Sequence, residues 1–202
     1  MKYVNQLDYP DMQYITCVKE TDEALRKRGL ANTIAKSGCG LCSSVMVAAL
    51  LRTDVGGFDV ADARQLSYDS GANHTTGTDG SLYFPAFAKK FNLDFVRSDK
   101  IEDLLHCLHT GGAAIISVSG DRNDGYHGVF SDRWTHFIVA VAHERDGRIA
   151  IMDAAYEEGA YEKGDRKGKV EVLQRGFCRC SLQVIQEETA TRTLPFYLFW
   201  RK

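Results

Sequence analysis

The chain has 202 residues, 44% of them hydrophobic, with 25 basic and 27 acidic residues and a net charge of −2. A balance this even gives no reason to expect a nucleic acid or an anionic membrane as partner. The longest apolar run, around Val45 to Leu51, is too short to span a bilayer.

The length suits one domain over 1–202, read as a helical lobe over about residues 20–110 and a sheet lobe over about 111–202. The opening Met1-Lys2-Tyr3-Val4-Asn5-Gln6-Leu7-Asp8 lacks the apolar core of a signal peptide. The six cysteines, Cys17, Cys39, Cys42, Cys107, Cys178 and Cys180, do not form a dense disulfide framework in a chain of this size. A soluble, cytoplasmic thiol protein is expected.

After an extended N-terminal arm, Thr21 can cap a short helix ending near Gly29. Ser37-Gly38-Cys39-Gly40-Leu41-Cys42 then leads into Val45-Met46-Val47-Ala48-Ala49-Leu50-Leu51, apolar all round, as a buried helix would be. Cys39 falls at its first turn, where unpaired N–H groups and the positive end of the helix dipole favour a thiolate. Asp59 can cap a helix over Val60 to Tyr68. Leu82 to Phe91 reads as another, with Pro85 tolerable in its first turn. A strand is expected at Leu93 to Arg97, and Ile101, Leu104, Leu105 and Leu108 mark one face of a helix stopping at Gly111-Gly112.

Beyond that point strands dominate: Ala113 to Ser119, Thr135 to His143, Arg148 to Asp153, Val170 to Gln174 and Pro195 to Trp200, with a short helix near Cys180 to Gln186. Helices first and strands second is an α+β pattern, with an antiparallel sheet. His136 begins one strand and Asp153 ends the next, across a hairpin marked by Asp146-Gly147. A cysteine on a helix, then a histidine, then a carboxylate to orient it suits a thiol hydrolase.

These residues resemble the papain-like cysteine peptidases related to the bacteriocin-processing (double-glycine) peptidases. The likeness rests on Ser-Gly-Cys-Gly before an apolar helix, a Thr-His-Phe strand and an Asp-ended strand. Asn5-Gln6, Thr33-Ile34-Ala35, the helix from Leu82 to Phe91 and Gly111-Gly112-Ala113-Ala114-Ile115-Ile116-Ser117 extend it over about Asn5 to Asp153. Relatives usually carry Gly-Pro-Thr-Ser after the cysteine, glycine before the histidine and often proline after the acid. Here those positions hold Gly40-Leu41-Cys42-Ser43, Thr135 and Ala154. The resemblance implies a papain-like fold and a peptide or related amide substrate with small residues at the cut. Cys39, His136 and Asp153 would be catalytic, with Gln6 as oxyanion donor and Asn32 as its substitute. No cofactor or metal is needed for such chemistry.

Other readings compete. Cys39-Gly40-Leu41-Cys42 is a C-x-x-C at a helix start, as in thiol–disulfide oxidoreductases, but no strand-helix-strand unit leads into it. Cys178-Arg179-Cys180 could join those cysteines as a zinc site, although C-x-C is a poor match to zinc knuckles. His106 and His109 are three apart on a helix, more simply a solvated face. The loops Gly120 to Arg133 and Glu157 to Lys169 would frame a cleft, with His127 and Trp134 near the histidine. A catalytically silent binding module on the same fold is the third class.

The triad also makes a geometric demand. With a two-residue turn at Asp146-Gly147, Asp153 would pair with Ala140, four residues or roughly 13 Å of strand from His136. Bringing the two together requires a longer connection or a bulge between Ala140 and Arg148.

Overall fold

The computed structural model describes residues 2–15, 32–52, 57–73, 77–132 and 135–202. The helix expected after Thr21, together with Cys17 and Trp134, lies outside them.

Short helix α1 (Ile34–Ser37) runs through Gly38 into α2 (Cys39–Leu51), followed by α3 (Val60–Asp69) and α4 (Gly80–Lys90). Strand β1 (Leu93–Ser98), helix α5 (Ile101–His109), β2 (Ala113–Val118), β3 (His136–His143) and β4 (Arg148–Asp153) come next. β5 (Val170–Gln174), β6 (Phe177–Ser181), α6 (Leu182–Thr189) and β7 (Phe196–Arg201) complete the fold. The seven strands form one sheet in the order β1-β7-β2-β3-β4-β6-β5, every pair antiparallel.

One sheet face is covered by α2, α3 and α4, in a core that includes Met46, Phe84, Ile115, Val139 and Phe199. The other is covered by α5 and α6, around Leu104, Ile116, Ile138, Ile151 and Ile185. Central strands buried on both faces explain the largely apolar run of β2, interrupted by Ser117, in which all six residues are buried. The sheet also draws a strand and a helix from before residue 110: β1 pairs with the last strand, β7, and α5 packs on the face opposite α2.

Local sequence accounts for the helix ends. Asp59 caps α3 in a reciprocal box with Asp62, and Asp79 caps α4 through the Ser81 N–H at 2.9 Å. That cap starts α4 two residues earlier than the sequence suggests, which leaves Pro85 inside the helix. Its missing N–H concerns the Ser81 carbonyl, and both residues are on the exposed face, where water can serve it. The short helix expected near Cys180 to Gln186 starts two residues later, at Leu182, because Cys178 to Cys180 belong to strand β6 and Ser181 caps α6 through the Val184 N–H. No helix among the described residues is long and apolar enough to cross a membrane.

Candidate active site

The α1–α2 junction sets Cys39 by steric necessity. A Cβ on Gly38 would lie 2.5 Å from the Ile34 side chain and 2.6 Å from its carbonyl oxygen, so only glycine lets the chain pass. A Cβ on Gly40 would meet Thr78 at 3.0 Å and the Phe137 ring at 3.3 Å, so its absence seats the helix start against β3. Cys39 is partly exposed at the head of a helix that is otherwise largely buried. Its first-turn N–H groups have no carbonyl of their own helix to bond. Cys42, one turn along, is fully buried in the core, and burial pushes its thiol well above the ordinary value, with Cys39 adding to the rise.

The β3–β4 hairpin supplies the irregularity that the spacing demands, in two steps. The Glu144 N–H bonds the Arg148 carbonyl at 2.8 Å, closing a three-residue loop in which Gly147 takes a left-handed conformation (φ 83°). That moves the register by one residue, to His143 opposite Ile149 and Ala142 opposite Ala150. A bulge between Ala140 and Ala142 moves it by another, so Asp153 stands opposite Ile138 rather than Ala140. Two residues of strand, roughly 6.6 Å, then separate it from His136 on the same face. The two side chains bridge that gap, with His136 Nε2 2.7 Å from Asp153 Oδ1.

Both groups are buried, His136 5% and Asp153 2% exposed. The carboxylate is nonetheless well provided for. Oδ1 also accepts the Ala155 N–H at 2.9 Å, and Oδ2 accepts the Tyr161 hydroxyl. Burial works against the charge on Asp153, but the His136 imidazole, Tyr161 and the Ala155 N–H outweigh it and lower its pKa. Burial likewise opposes a charged His136, yet Asp153 and Cys39 raise it to about 10. Cys39 therefore acts on this imidazole from the head of α2. With Nε2 engaged by Asp153, Nδ1 is the nitrogen left to face the thiol.

Gln6 is buried against the same junction. Its backbone N–H bonds the Ala154 carbonyl at 2.7 Å, and its Nε2 donates to the Ala35 carbonyl at 2.8 Å. That carbonyl points along the helical path toward residue 39, four positions on, so the Gln6 amide lies beside the head of α2. The Ala35 contact fixes the amide, because reversing it would set oxygen against oxygen. Asn32 stands in a left-handed turn (φ 53°) before α1, with its carbonyl accepting the Tyr14 N–H at 2.8 Å.

Three contributors to this cluster escape sequence reasoning. Tyr161, 4% exposed, belongs to a loop that its charge makes look solvated; an aromatic ring among so many charges was the available signal. Tyr3 donates its hydroxyl to the Asp153 carbonyl at 2.7 Å. Glu188 on α6 organises the chain between β2 and β3: its Oε1 accepts the Tyr126 hydroxyl and the Val129 N–H, and its backbone carbonyl accepts the Ser119 N–H at 2.9 Å. This places Phe130 edge-on to Tyr161, ring centres 5.9 Å apart. Glu188 Oε2 is buried with no hydrogen-bond partner among the described residues, and burial raises the pKa of this acid.

The other candidates are not brought together. Cys178 and Cys180 point into the core on the α5–α6 face, while Cys42 packs on the α2 face, so the sheet separates them. His127 is exposed beside Asp121, Nδ1 to Oδ2 3.4 Å. His109 meets not His106 but His143, nitrogen to nitrogen at 2.8 Å. Among the described residues no group of three or more histidines, cysteines or carboxylates has a metal-holding arrangement.

No family model matches the sequence, and no curated protein gives a significant match. Solved structures do match in fold. The peptidase domain of Streptococcus ComA, a bifunctional ABC transporter involved in a quorum-sensing pathway, aligns with a TM-score of 0.51 and 16% identity, over 81% of this chain and 91% of that one. A C39-like peptidase candidate from Bacillus anthracis aligns with a TM-score of 0.50 and 12% identity, over 96% of each chain. The fold is therefore the mixed helix and antiparallel sheet of C39 papain-like peptidase domains, as the sequence resemblance implied.

Proposed function

We propose that this protein is a cysteine hydrolase that cleaves a peptide or related amide bond. The observation that carries the reading is the buried His136–Asp153 pair at 2.7 Å, set at the sheet edge where the partly exposed Cys39 opens α2. The peptidase-like fold is consistent with it.

In this reading the Cys39 thiolate, paired with protonated His136, attacks the substrate carbonyl carbon. The Cys39 N–H and the second Nε2 hydrogen of Gln6 hold the oxyanion. His136 Nδ1 gives its proton to the leaving nitrogen as the C–N bond breaks, leaving a thioester on Sγ. A water then attacks the thioester and passes a proton to His136. The C–S bond breaks and the thiolate is restored as the acid leaves. Asp153 keeps the imidazole oriented and stabilises its charged form throughout. All the groups required are protein side chains and backbone.

The oxidoreductase alternative needs Cys42 as a second accessible thiol, and its full burial and raised pKa speak against that role. Mass-spectrometric labelling with limiting iodoacetamide near neutral pH tests the reading. Selective alkylation of Cys39, lost in His136→Ala and accompanied by peptide cleavage that Cys39→Ser abolishes, is the expected result. Reversible Cys39–Cys42 oxidation would favour the oxidoreductase. An unreactive Cys39 in a folded protein would favour a silent binding module.

A further inference from the structure

The proposed site occupies one edge of the sheet, where β1, β2 and β4 end and β3, β6 and β7 begin. Away from Asp153 the strands follow in the order β3, β2, β7, β1. On the face packed by α2, their edge residues are Phe137, Ser117, Tyr197 and Arg97, with Ser117 opposite Phe137 and Arg97 opposite Tyr197. Phe137 follows His136 and abuts Gly40, which follows Cys39. Its ring meets Tyr197 edge-on at 6.0 Å, and the Arg97 guanidinium lies 4.9 Å over Tyr197. A row of side chains thus leads from the thiol to a cation.

Arg192 joins this row at its middle. Its Nε and Nη2 both donate to the one hydroxyl of Ser117, at 3.3 and 3.0 Å. A single oxygen satisfies only part of a five-donor fork. Arg97 donates to the neutral carbonyls of Leu194 and Thr193. Among the described residues no carboxylate bonds either guanidinium. Asp79, which also acts on Tyr197, is engaged in capping α4. Asp99 and Glu102 share a cavity of about 450 Å³ with Arg192 without bonding it.

The arrangement is costly to the fold. Burial is the main influence lowering the Arg192 pKa, and the nearby Arg97 adds to it. The turn that delivers Arg192 holds Leu194 at φ 47°, a left-handed conformation unfavourable for a bulky residue. Unpaired, part-buried cations and a strained backbone persist together where a ligand compensates them.

We propose that Arg192, seconded by Arg97, is an anion subsite beside the proposed active site that takes a carboxylate of the peptide, two to four residues from the bond attacked. The spacing follows from the sheet: β2 and β1 lie one and three strands from β3, roughly 5–14 Å, and an extended peptide advances about 3.3 Å per residue. A guanidinium matches a carboxylate with two parallel hydrogen bonds. The proposal rests on Cys39 as the attacking thiol.

The test uses peptides bearing an iodoacetyl group at either end, with Glu or Gln at the second, third or fourth residue from it and all carboxyl termini blocked. The rate of Cys39 alkylation is read by mass spectrometry. With each rate taken relative to that with plain iodoacetamide, a Glu-over-Gln ratio of about ten at one or more positions is expected, falling toward one in Arg192→Gln. A neutral set with a free terminal carboxylate shows whether a chain end serves as well as a side chain. Ratios near one at every position, or a ratio that Arg192→Gln leaves intact, would overturn the proposal. Failure of Cys39 to react with plain iodoacetamide would instead strike at the hydrolase reading. The Glu preference is then read from binding of the same peptides, uncapped and fluorescently tagged, to the unmodified protein.

Discussion

Asp153→Asn isolates the charge of the proposed triad from its shape. The amide keeps one oxygen to accept from His136 and the Ala155 N–H, and the Tyr161 hydroxyl can rotate to accept from the new NH₂. What disappears is the negative charge, while the burial that disfavours imidazolium remains. His136 has an ordinary value of 6.5 and is raised to about 10, with Asp153 ahead of Cys39 among the causes that raise it. Removing the larger of these two influences should lower it by roughly two units, or about 2.7 kcal/mol. The sign follows from linkage. A raised histidine contributes stability that is complete below its unfolded pKa and is lost as pH rises through the folded one. The wild-type imidazolium should therefore persist to about pH 10, and the variant's should vanish about two units lower. Rates of Cys39 alkylation and of peptide cleavage, each measured from pH 4 to 11, provide the assay. The alkaline limb of cleavage should move down by about two units. Superimposable wild-type and variant pH profiles would refute the coupling, and Asp153 would then be a core residue with no hold on the histidine's charge.

Three further outcomes follow from the same geometry. Cys42→Ser should keep most of the cleavage and alkylation that Cys39 supports, because Cys42 only packs; equal loss from Cys39→Ser and Cys42→Ser would bring the redox reading forward. Tyr161→Phe removes a donor from a buried carboxylate and should cost about 1.5–3 kcal/mol in urea unfolding; with that donor gone the Asp153 pKa rises, so the acid limb of stability should shift to higher pH, and an unshifted limb would refute the role. Glu188→Gln should be tolerated within about 1 kcal/mol at neutral pH, since burial already favours the uncharged acid. A raised acid loses stability as pH climbs from its ordinary value of 4.5 through the raised one, so thermal denaturation of the variant should depend less on pH above 4.5 than that of the wild type, and equal dependence would argue against a buried acid here.

The parts of this molecule that were legible in the sequence are those governed by local rules. The apolar run after Cys39 announces a buried helix, and Asp59 caps where a cap was expected. The bulged hairpin was demanded by counting residues between His136 and Asp153, and the ladder shows the shift between Ala140 and Ala142. What stayed hidden is tertiary. Beyond an aromatic ring among charges, the sequence near Tyr161 does not say that its loop reaches Asp153, and Glu188 looks like one more surface acid in Gln186-Glu187-Glu188. Phe177-Cys178-Arg179-Cys180 is too short to show a clear period, and it becomes strand β6 by pairing with β4. Pro85 was assigned to a first turn because the sequence does not reveal that Asp79, three residues before Leu82, begins the helix.

Residues 3–6 also have a bearing on how the molecule is made. The Tyr3 ring fills the space over Gly176, where a Cβ would come within 1.9 Å of it. Its hydroxyl holds the Asp153 carbonyl, Asn5 holds the Tyr156 carbonyl and the Gln6 N–H holds that of Ala154. These contacts join the first part of the chain to residues about 150 positions later. On a ribosome adding about 5–20 residues per second, the Cys39 helix would be exposed for several seconds before its partners exist. Until Gly176 has emerged, the thiol has neither an oriented imidazole nor a seated Gln6. If Cys39 is the proposed nucleophile, the long closure keeps the nascent chain chemically quiet until the fold is complete.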